Sequence, residues 1–345
     1  MSAVPIHDFL RQMVAKDGSD IYLTVGAPAT LRGNDGMFPL TDLPLGVDDI
    51  ETMLAALTDA PQREEFARHG ELNFALDLDG IGRFRVNVFR QRQRPGLVIR
   101  RIKGDIPALT ELGLPSLLGD LAREKRGLVL LVGGTGSGKS TTLAAMIDAR
   151  NRAEAGHIIT IEDPIEFIHD HHKSILSQRE VGADTESYQV ALKNALRQKP
   201  DAILIGEIRD AYVMDQAIGI AETGHLCLAT LHANNAGQAM ERVLNFFDRS
   251  RHAQILLNLS LNLRAVIAQR LVANQRGGRT VALEVLLNQG LARDLIAQGE
   301  TGKLKDVMAK NQPSGMQTFD QALVAMCMAG EISEAVAVAE ADVAG

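Results

Sequence analysis

The run Gly133-Gly-Thr-Gly-Ser-Gly-Lys-Ser-Thr141 follows directly on Leu128-Val-Leu-Leu-Val132, and no other feature restricts the fold as much. An uninterrupted apolar run of this length reads as a strand covered on both faces, as in a parallel sheet. The glycines then let backbone N–H groups turn inward around phosphate oxygens, and the helix expected over 142–154 points its positive end at the same charge. Gly133-x4-Gly138-Lys139-Ser140 thus meets the P-loop pattern in its required strand–loop–helix context. Gly133, Gly134, Thr135, Gly136, Ser137, Gly138, Lys139, Ser140 and Thr141 are the expected nucleotide-binding residues. Lys139 would reach the β- and γ-phosphates and Ser140 would ligate Mg²⁺, making ATP and Mg²⁺ the expected cofactors.

Further apolar runs extend this grammar: His157–Ile161, Ala202–Ile205 and Leu226–Thr230, with helices expected over about 187–198 and 211–221. Strands alternating with helices mean an α/β fold with a parallel sheet. Carboxylates at the carboxyl ends of such strands face the ligand crevice. Two candidates stand there, in Ile161-Glu-Asp-Pro-Ile-Glu166 and Gly206-Glu-Ile-Arg-Asp210. Glu207 is the expected general base, and it would also hold Mg²⁺ through water. Glu162 would support it by polarising water or by holding the metal through water. Thr223-Gly-His225 and Thr230-Leu-His232 place a histidine on either side of the last strand, where both could sense hydrolysis or orient water. His169-Asp-His171-His172 reads as a polar loop.

The first hundred residues differ. Ile21–Val25, Phe74–Leu78 and Arg83–Phe89 are β-rich, with Asp79-Gly80 as a hairpin signal between the last two. Helices are expected over about 5–16 and 48–69, giving a small α+β domain. Lys103–Pro107 reads as a linker. Beyond about 235 the pattern reads as nearly all helical, with a long amphipathic helix near 251–272 and a fraying helix from 331. The expected domains are therefore 1–103, a linker at 104–108, an ATPase core at 109–275 and a mainly helical region at 276–345.

Composition adds exclusions. A net charge of −7 weighs against a chain that coats nucleic acid. No apolar run approaches the roughly 18 residues of a membrane helix, and the N-terminus lacks the pattern of a signal peptide. The two isolated cysteines, Cys227 and Cys327, suit a reducing cytosol. The expected location is cytoplasmic, with no integral membrane segment and no nucleic-acid partner. The absence of a Gly-x-Gly-x-x-Gly turn with a distal acid excludes a dinucleotide-dependent dehydrogenase.

Taken in order, the P-loop, Ile161–Glu166, Gly206–Asp210 and the histidine segment ending Thr230-Leu-His232 resemble the motifs of the VirB11/GspE superfamily of secretion ATPases. The likeness is stronger to the PilT/PilU-type ATPases of twitching motility, and it runs from Gly18-Ser-Asp-Ile-Tyr-Leu23 to Gly315-Met-Gln-Thr-Phe-Asp-Gln-Ala322. Ala221–Asn235, Leu283–Asn288 and Gly315–Leu323 favour the PilU side. Leu291-Ala-Arg-Asp-Leu-Ile296 departs from the Ala-Ile-Arg-Asn-Leu-Ile signature of PilT. Pilus-extension ATPases carry a four-cysteine zinc site, which two cysteines cannot form. The resemblance implies a PAS-like α+β N-terminal domain, a RecA-like P-loop domain with C-terminal helices, and a homo-hexameric ring. It further implies a role in type IV pilus retraction, at the inner-membrane pilus base. A PilT-like retraction ATPase and an integral platform protein are the implied partners. An accessory ring supporting a PilT-like motor, or another secretion-type ATPase, are the alternatives. Among the arginines crowded into 83–101, Arg85 and Arg100 match the family's nucleotide-reaching positions, and Arg197 is a further candidate. The segment Gly315–Ala322 reads as interdomain packing or a partner surface.

Overall fold

The computed structural model describes residues 6–33, 36–102 and 104–342. Two compact units divide it, Met1–Asp105 and Ile106–Gly345. In the first, helix α1 (Ile6–Ala15) precedes strands β1 (Asp20–Thr24), β2 (Thr30–Gly33) and β3 (Gly36–Pro39). Helices α2 (Val47–Leu57) and α3 (Ala60–His69) follow, then β4 (Glu71–Leu78), β5 (Gly82–Gln91) and β6 (Arg94–Ile102). The strands form one antiparallel sheet in the order β3-β2-β1-β6-β5-β4. Strict alternation in β5 sends Phe84, Val86 and Val88 into a core shared with Phe9, Leu10, Ile50 and Leu54 of the helices. The single helix expected over 48–69 is in fact two. Thr58 is extended, and Asp59 opens α3 with a capping box to Gln62, while Pro61 has no N–H to continue a helix from before it.

The second unit begins with α4 (Leu117–Ala122) and β7 (Gly127–Val132), followed by α5 (Lys139–Ala153), β8 (Gly156–Glu162) and β9 (Ser174–Glu180). Next come α6 (Tyr188–Ala195), a 3-10 turn at Leu196–Gln198, β10 (Ala202–Ile205), α7 (Ala211–Glu222), β11 (Leu226–Leu231), α8 (Ala236–Asn245) and α9 (His252–Asn262). The chain ends with β12 (Leu263–Ala273), β13 (Arg279–Leu287), α10 (Leu291–Gln298), α11 (Leu304–Lys310), α12 (Phe319–Met328) and α13 (Glu334–Glu340). The sheet order is β13-β12-β7-β11-β10-β8-β9, parallel throughout except for the β12–β13 pair. Strands β7, β10 and β11 are buried along their whole length, as strands covered on both faces must be.

The helix expected over 251–272 ends at Asn262, and the rest is β12. A short apolar run is ambiguous between buried helix and buried strand. Here the side-chain amide of Asn288 donates to the carbonyls of Leu259, Ser260 and Leu263, at 3.3, 2.9 and 2.9 Å, satisfying the last carbonyls of α9. Leu263–Ala273 then pairs with both β7 and β13. A boundary at 275/276 would sever this hairpin, so the nearly all-helical reading beyond 235 is corrected. Strands β2, β3, β6 and β9 likewise went unanticipated.

Segment 315–322 packs within its own unit. Gln317 and Val285 exchange backbone hydrogen bonds, Thr318 caps α12, and Phe319 is fully buried beneath the Arg270 guanidinium.

Candidate nucleotide site

The phosphate loop occupies the carboxyl end of β7. Gly133, Gly136 and Gly138 have φ of +156°, +76° and +86°, the last opening α5, so the loop's path needs residues without a Cβ. The Lys139 ammonium donates to the carbonyls of Gly133 and Gly134, both at 2.8 Å. Partial burial lowers its proton affinity, and the nearby Glu207 carboxylate acts against that shift. The P-loop lysine and Glu207 therefore share one electrostatic neighbourhood.

Gly206 follows β10, and its geometry explains how the chain just before Glu207 passes close to the Glu162 backbone. A Cβ there would meet Tyr188 Oη at 2.9 Å, Glu162 Cα at 3.1 Å and the Ile161 carbonyl at 3.3 Å. Its N–H donates to the Ile161 carbonyl, and the Thr230 hydroxyl of β11 donates to its own carbonyl. The turn is thus braced from both neighbouring strands.

The two carboxylates sit in different surroundings. Glu162 accepts from the Thr160 hydroxyl at 2.6 Å and the Gln178 amide at 3.5 Å, yet burial dominates and pushes its pKa up to about 7. Glu207 is held by Arg209, whose Nε donates to Glu207 Oε2 at 2.6 Å and whose Nη1 donates to Asp163 Oδ2 at 3.0 Å. One guanidinium therefore ties the Ile161–Glu166 segment to the Gly206–Asp210 segment. A carboxyl with its proton equilibrium near neutrality suits proton transfer, whereas one held in an ion pair suits charge placement. For Mg²⁺, the Ser140 hydroxyl and the Glu207 carboxylate are hard oxygen donors, which fit that ion together with phosphate oxygens.

Two expected site residues are placed elsewhere. His232 follows β11 at the loop's end of the sheet, but His225 precedes that strand, its carbonyl accepting from Gly127 at the start of β7. A six-residue strand at ~3.3 Å per residue separates the two by about 20 Å. His225 therefore stands at the far end of the sheet from its own chain's phosphate loop, and His232 at the loop's end. Arg197 lies on the exposed 3-10 turn ahead of β10, also at the far end from its own chain's loop. Residues 169–172 form a loop with Asp170, His171 and His172 exposed, but His169 is buried, and burial lowers its pKa to about 4.

In the first unit, Arg85 and Arg100 stand directly opposite each other on β5 and β6, on the sheet face away from the helices. Arg100 faces Asp20 on its other side and is hydrogen-bonded to it at 2.9 Å. Reading the sequence did not single out Asp20 or Arg209. It also passed over Gln269 of β12, whose side chain is buried against the phosphate loop, because the strand itself read as helix.

A RecA-like sheet with a P-loop, a lysine beside an acidic strand end and a second buried glutamate defines the class: a P-loop ATP hydrolase. Residues 69–280 match the type II/IV secretion system protein family. The chain is 53% identical to the type IV pilus ATPase PilU of Pseudomonas aeruginosa over 334 residues, 96% of this chain and 87% of that one. It is 38% identical to the type IV pilus retraction ATPase PilT of the same organism over 320 residues, 92% and 93% of the two chains. A crystal structure of the pilus retraction motor PilT with bound ADP superposes with a TM-score of 0.92 at 37% identity, covering 99% of this chain and 98% of that one. The chain belongs to the type II/IV secretion system family, among its PilT/PilU-type type IV pilus ATPases. It binds nucleotide and hydrolyses ATP as a pilus motor ATPase. Among the described residues no helix is long and apolar enough to cross a membrane.

Proposed function

We propose that this chain forms a homo-hexameric, Mg²⁺-dependent ATPase that drives or assists retraction of type IV pili, acting in the cytoplasm at the inner-membrane pilus base. The observation carrying the chemistry is the buried Glu162, hydrogen-bonded to Thr160 at the end of the strand next to the one that leads to Glu207. Residues 133–141 bind the phosphates, with Lys139 following charge onto the γ-phosphoryl. Ser140 and, through water, Glu207 would hold Mg²⁺, which would supply Lewis-acid stabilisation of phosphate charge. Glu207 is the residue expected from sequence to be the base. Its ion pair with Arg209 favours charge placement for Glu207, and leaves Glu162 to take the proton of the attacking water. His232 borders the same crevice. Arg85 and Arg100 of the N-terminal unit supply positive charge to the phosphates, Arg100 exchanging Asp20 for that partner.

The test is phosphate release by wild type and Lys139→Ala with Mg-ATP over a range of protein concentrations. Turnover lost in the mutant, and rising per subunit with concentration, supports an oligomeric motor. Undiminished turnover in Lys139→Ala sinks the site assignment.

A second reading is an accessory ring beside a PilT-like motor on an integral platform protein, and the segment Leu291–Ile296 favours it. It departs from the PilT signature at positions 291, 292 and 294, where Leu291 and Asp294 are exposed on α10 and Ala292 is buried beside Leu295 and Ile296. The change thus alters the surface of α10 and reduces the bulk of one buried position. Pilus retraction in cells lacking the PilT-like relative separates the readings: retraction there supports an independent motor, and its absence supports the accessory ring.

A further inference from the structure

Gln269 of β12 is buried, at 1% exposure, yet its side chain is fully engaged with the phosphate loop. Its Nε2 donates to the Ser137 carbonyl at 2.7 Å, and its Oε1 accepts from the Thr142 hydroxyl at 2.8 Å. It also lies where two motif glycines would carry side chains. A Cβ on Gly133 would come within 2.5 Å of the Gln269 carbonyl, and one on Gly138 within 2.8 Å of Gln269 Nε2. Three points of the loop, its first glycine, its last glycine and the Ser137 peptide, therefore close on one residue of the adjoining strand.

The direction of the Ser137 carbonyl matters most. In a trans peptide the C=O and the following N–H point opposite ways. Drawing the Ser137 carbonyl toward Gln269 turns the Gly138 N–H the other way, into the concave side of the loop where phosphate oxygens are bound. The Thr142 contact fixes the first turn of α5, in which the Thr142 N–H donates to the Gly138 carbonyl at 3.0 Å. A flexible glycine loop would otherwise lose conformational entropy when it closes on a phosphate.

We infer that Gln269 is a positioning residue that pre-organises the phosphate loop for nucleotide by holding the Ser137–Gly138 peptide and the start of α5 in their binding orientation. The inference rests on the reading of residues 133–141 as the nucleotide site. It makes β12, outside the motif, part of the machinery that sets nucleotide affinity.

Gln269→Leu removes both hydrogen bonds at similar volume, and Gln269→Glu keeps the length and the acceptor for Thr142 while losing the amide donor to Ser137. The probe is ADP, measured by equilibrium binding. Amide exchange of the nucleotide-free protein and thermal melting accompany it. The expected result is about tenfold weaker ADP binding in Gln269→Leu, with faster exchange confined to residues 137–142 and unchanged exchange in β7. Should Gln269→Leu not fold, Gln269→Glu carries the same test, with the same direction expected. ADP affinity within twofold of wild type overturns the inference, as does faster exchange spread evenly over β7 and β12, the mark of a merely structural role. Lys139→Ala serves as the control. If it too binds ADP like wild type, the site reading has failed; if it alone loses affinity, only the Gln269 inference has.

Discussion

Burial of a single side chain sets the proton equilibria that matter most, and Glu162 and His169 show it with opposite signs. Glu162 must be ionised to accept a proton, and burial has raised its pKa to about 7, so turnover should rise with pH through that value. Glu162→Gln should cut kcat by about 10²- to 10³-fold and abolish that limb of the pH–rate profile. Thr160→Val removes a hydroxyl that lowers the Glu162 pKa and should move the limb to higher pH. A limb that stays in place in Glu162→Gln would assign it to another group. His169 works through stability. Its folded pKa of about 4 lies below the ordinary 6.5, so the unfolded chain binds the extra proton more readily. Its contribution is complete above pH 6.5 and is lost as pH falls from 6.5 toward 4, amounting to at most about 3 kcal/mol. Urea midpoints at pH 5 and 7.5 should differ less in His169→Leu than in wild type; an equal difference would remove His169 from the acid response.

Elements carry the candidate site's side chains to the carboxyl ends of the strands, and β8 approaches the end of β10 closely there at Gly206. Gly206→Ala would press a methyl onto the Glu162 backbone and Tyr188, at an expected cost of about 1–3 kcal/mol. Because the strain falls on Glu162, kcat should drop more steeply than ADP affinity. A variant with wild-type kcat and a lowered melting temperature would show that the approach is structural only. The fully buried strands β7, β10 and β11 and the loop between β7 and α5 were legible in sequence, since apolar runs punctuated by glycine admit few other readings. Strand β12 was not, because Leu263–Ala273 sets Arg264, Gln269 and Arg270 among apolar residues without the alternation of a half-buried strand, and what ends α9 is Asn288, 26 residues beyond Asn262. The edge strands β3 and β9 were hidden for a different reason. β3 is a four-residue strand of exposed residues, and β9, Ser-Ile-Leu-Ser-Gln-Arg-Glu, has a mixed pattern that settles only on pairing with β8. The placing of Lys139, Glu162 and Glu207 at or just beyond strand ends was legible, since motif and strand end coincide there. The site was not legible at Gln269 or Arg209, whose roles come from partners distant in sequence or from side-chain direction. The misplaced His225 has a related cause: two histidines close in sequence are put at opposite ends of a sheet by the extended strand between them.

At the scale of the whole molecule, the proposal brings together groups from both units, and mixing two variants tests whether they come from one subunit or from two. Lys139 belongs to the unit Ile106–Gly345 and Arg85 to the unit Met1–Asp105. Arg85→Ala alone should lower kcat by about 10³-fold while leaving ADP affinity within a few-fold, since the guanidinium is asked to stabilise charge that develops on the transferring phosphoryl. If each site in the ring takes its arginine from a neighbouring subunit, mixing Arg85→Ala with Lys139→Ala restores some complete sites: the first chain supplies an intact phosphate loop and the second an intact arginine. In randomly mixed hexamers at equal amounts, about a quarter of the neighbour pairs would be complete, so turnover should rise well above that of either variant alone, provided interface exchange is allowed to equilibrate. If the arginine instead serves its own chain, every mixed site lacks one group and mixing restores nothing. Phosphate release from the equilibrated mixture, with mixed rings verified by mass, distinguishes the two arrangements. Recovery would make the ring itself the catalytic unit, so that the shape of the assembly and the state of its nucleotide are bound to change together.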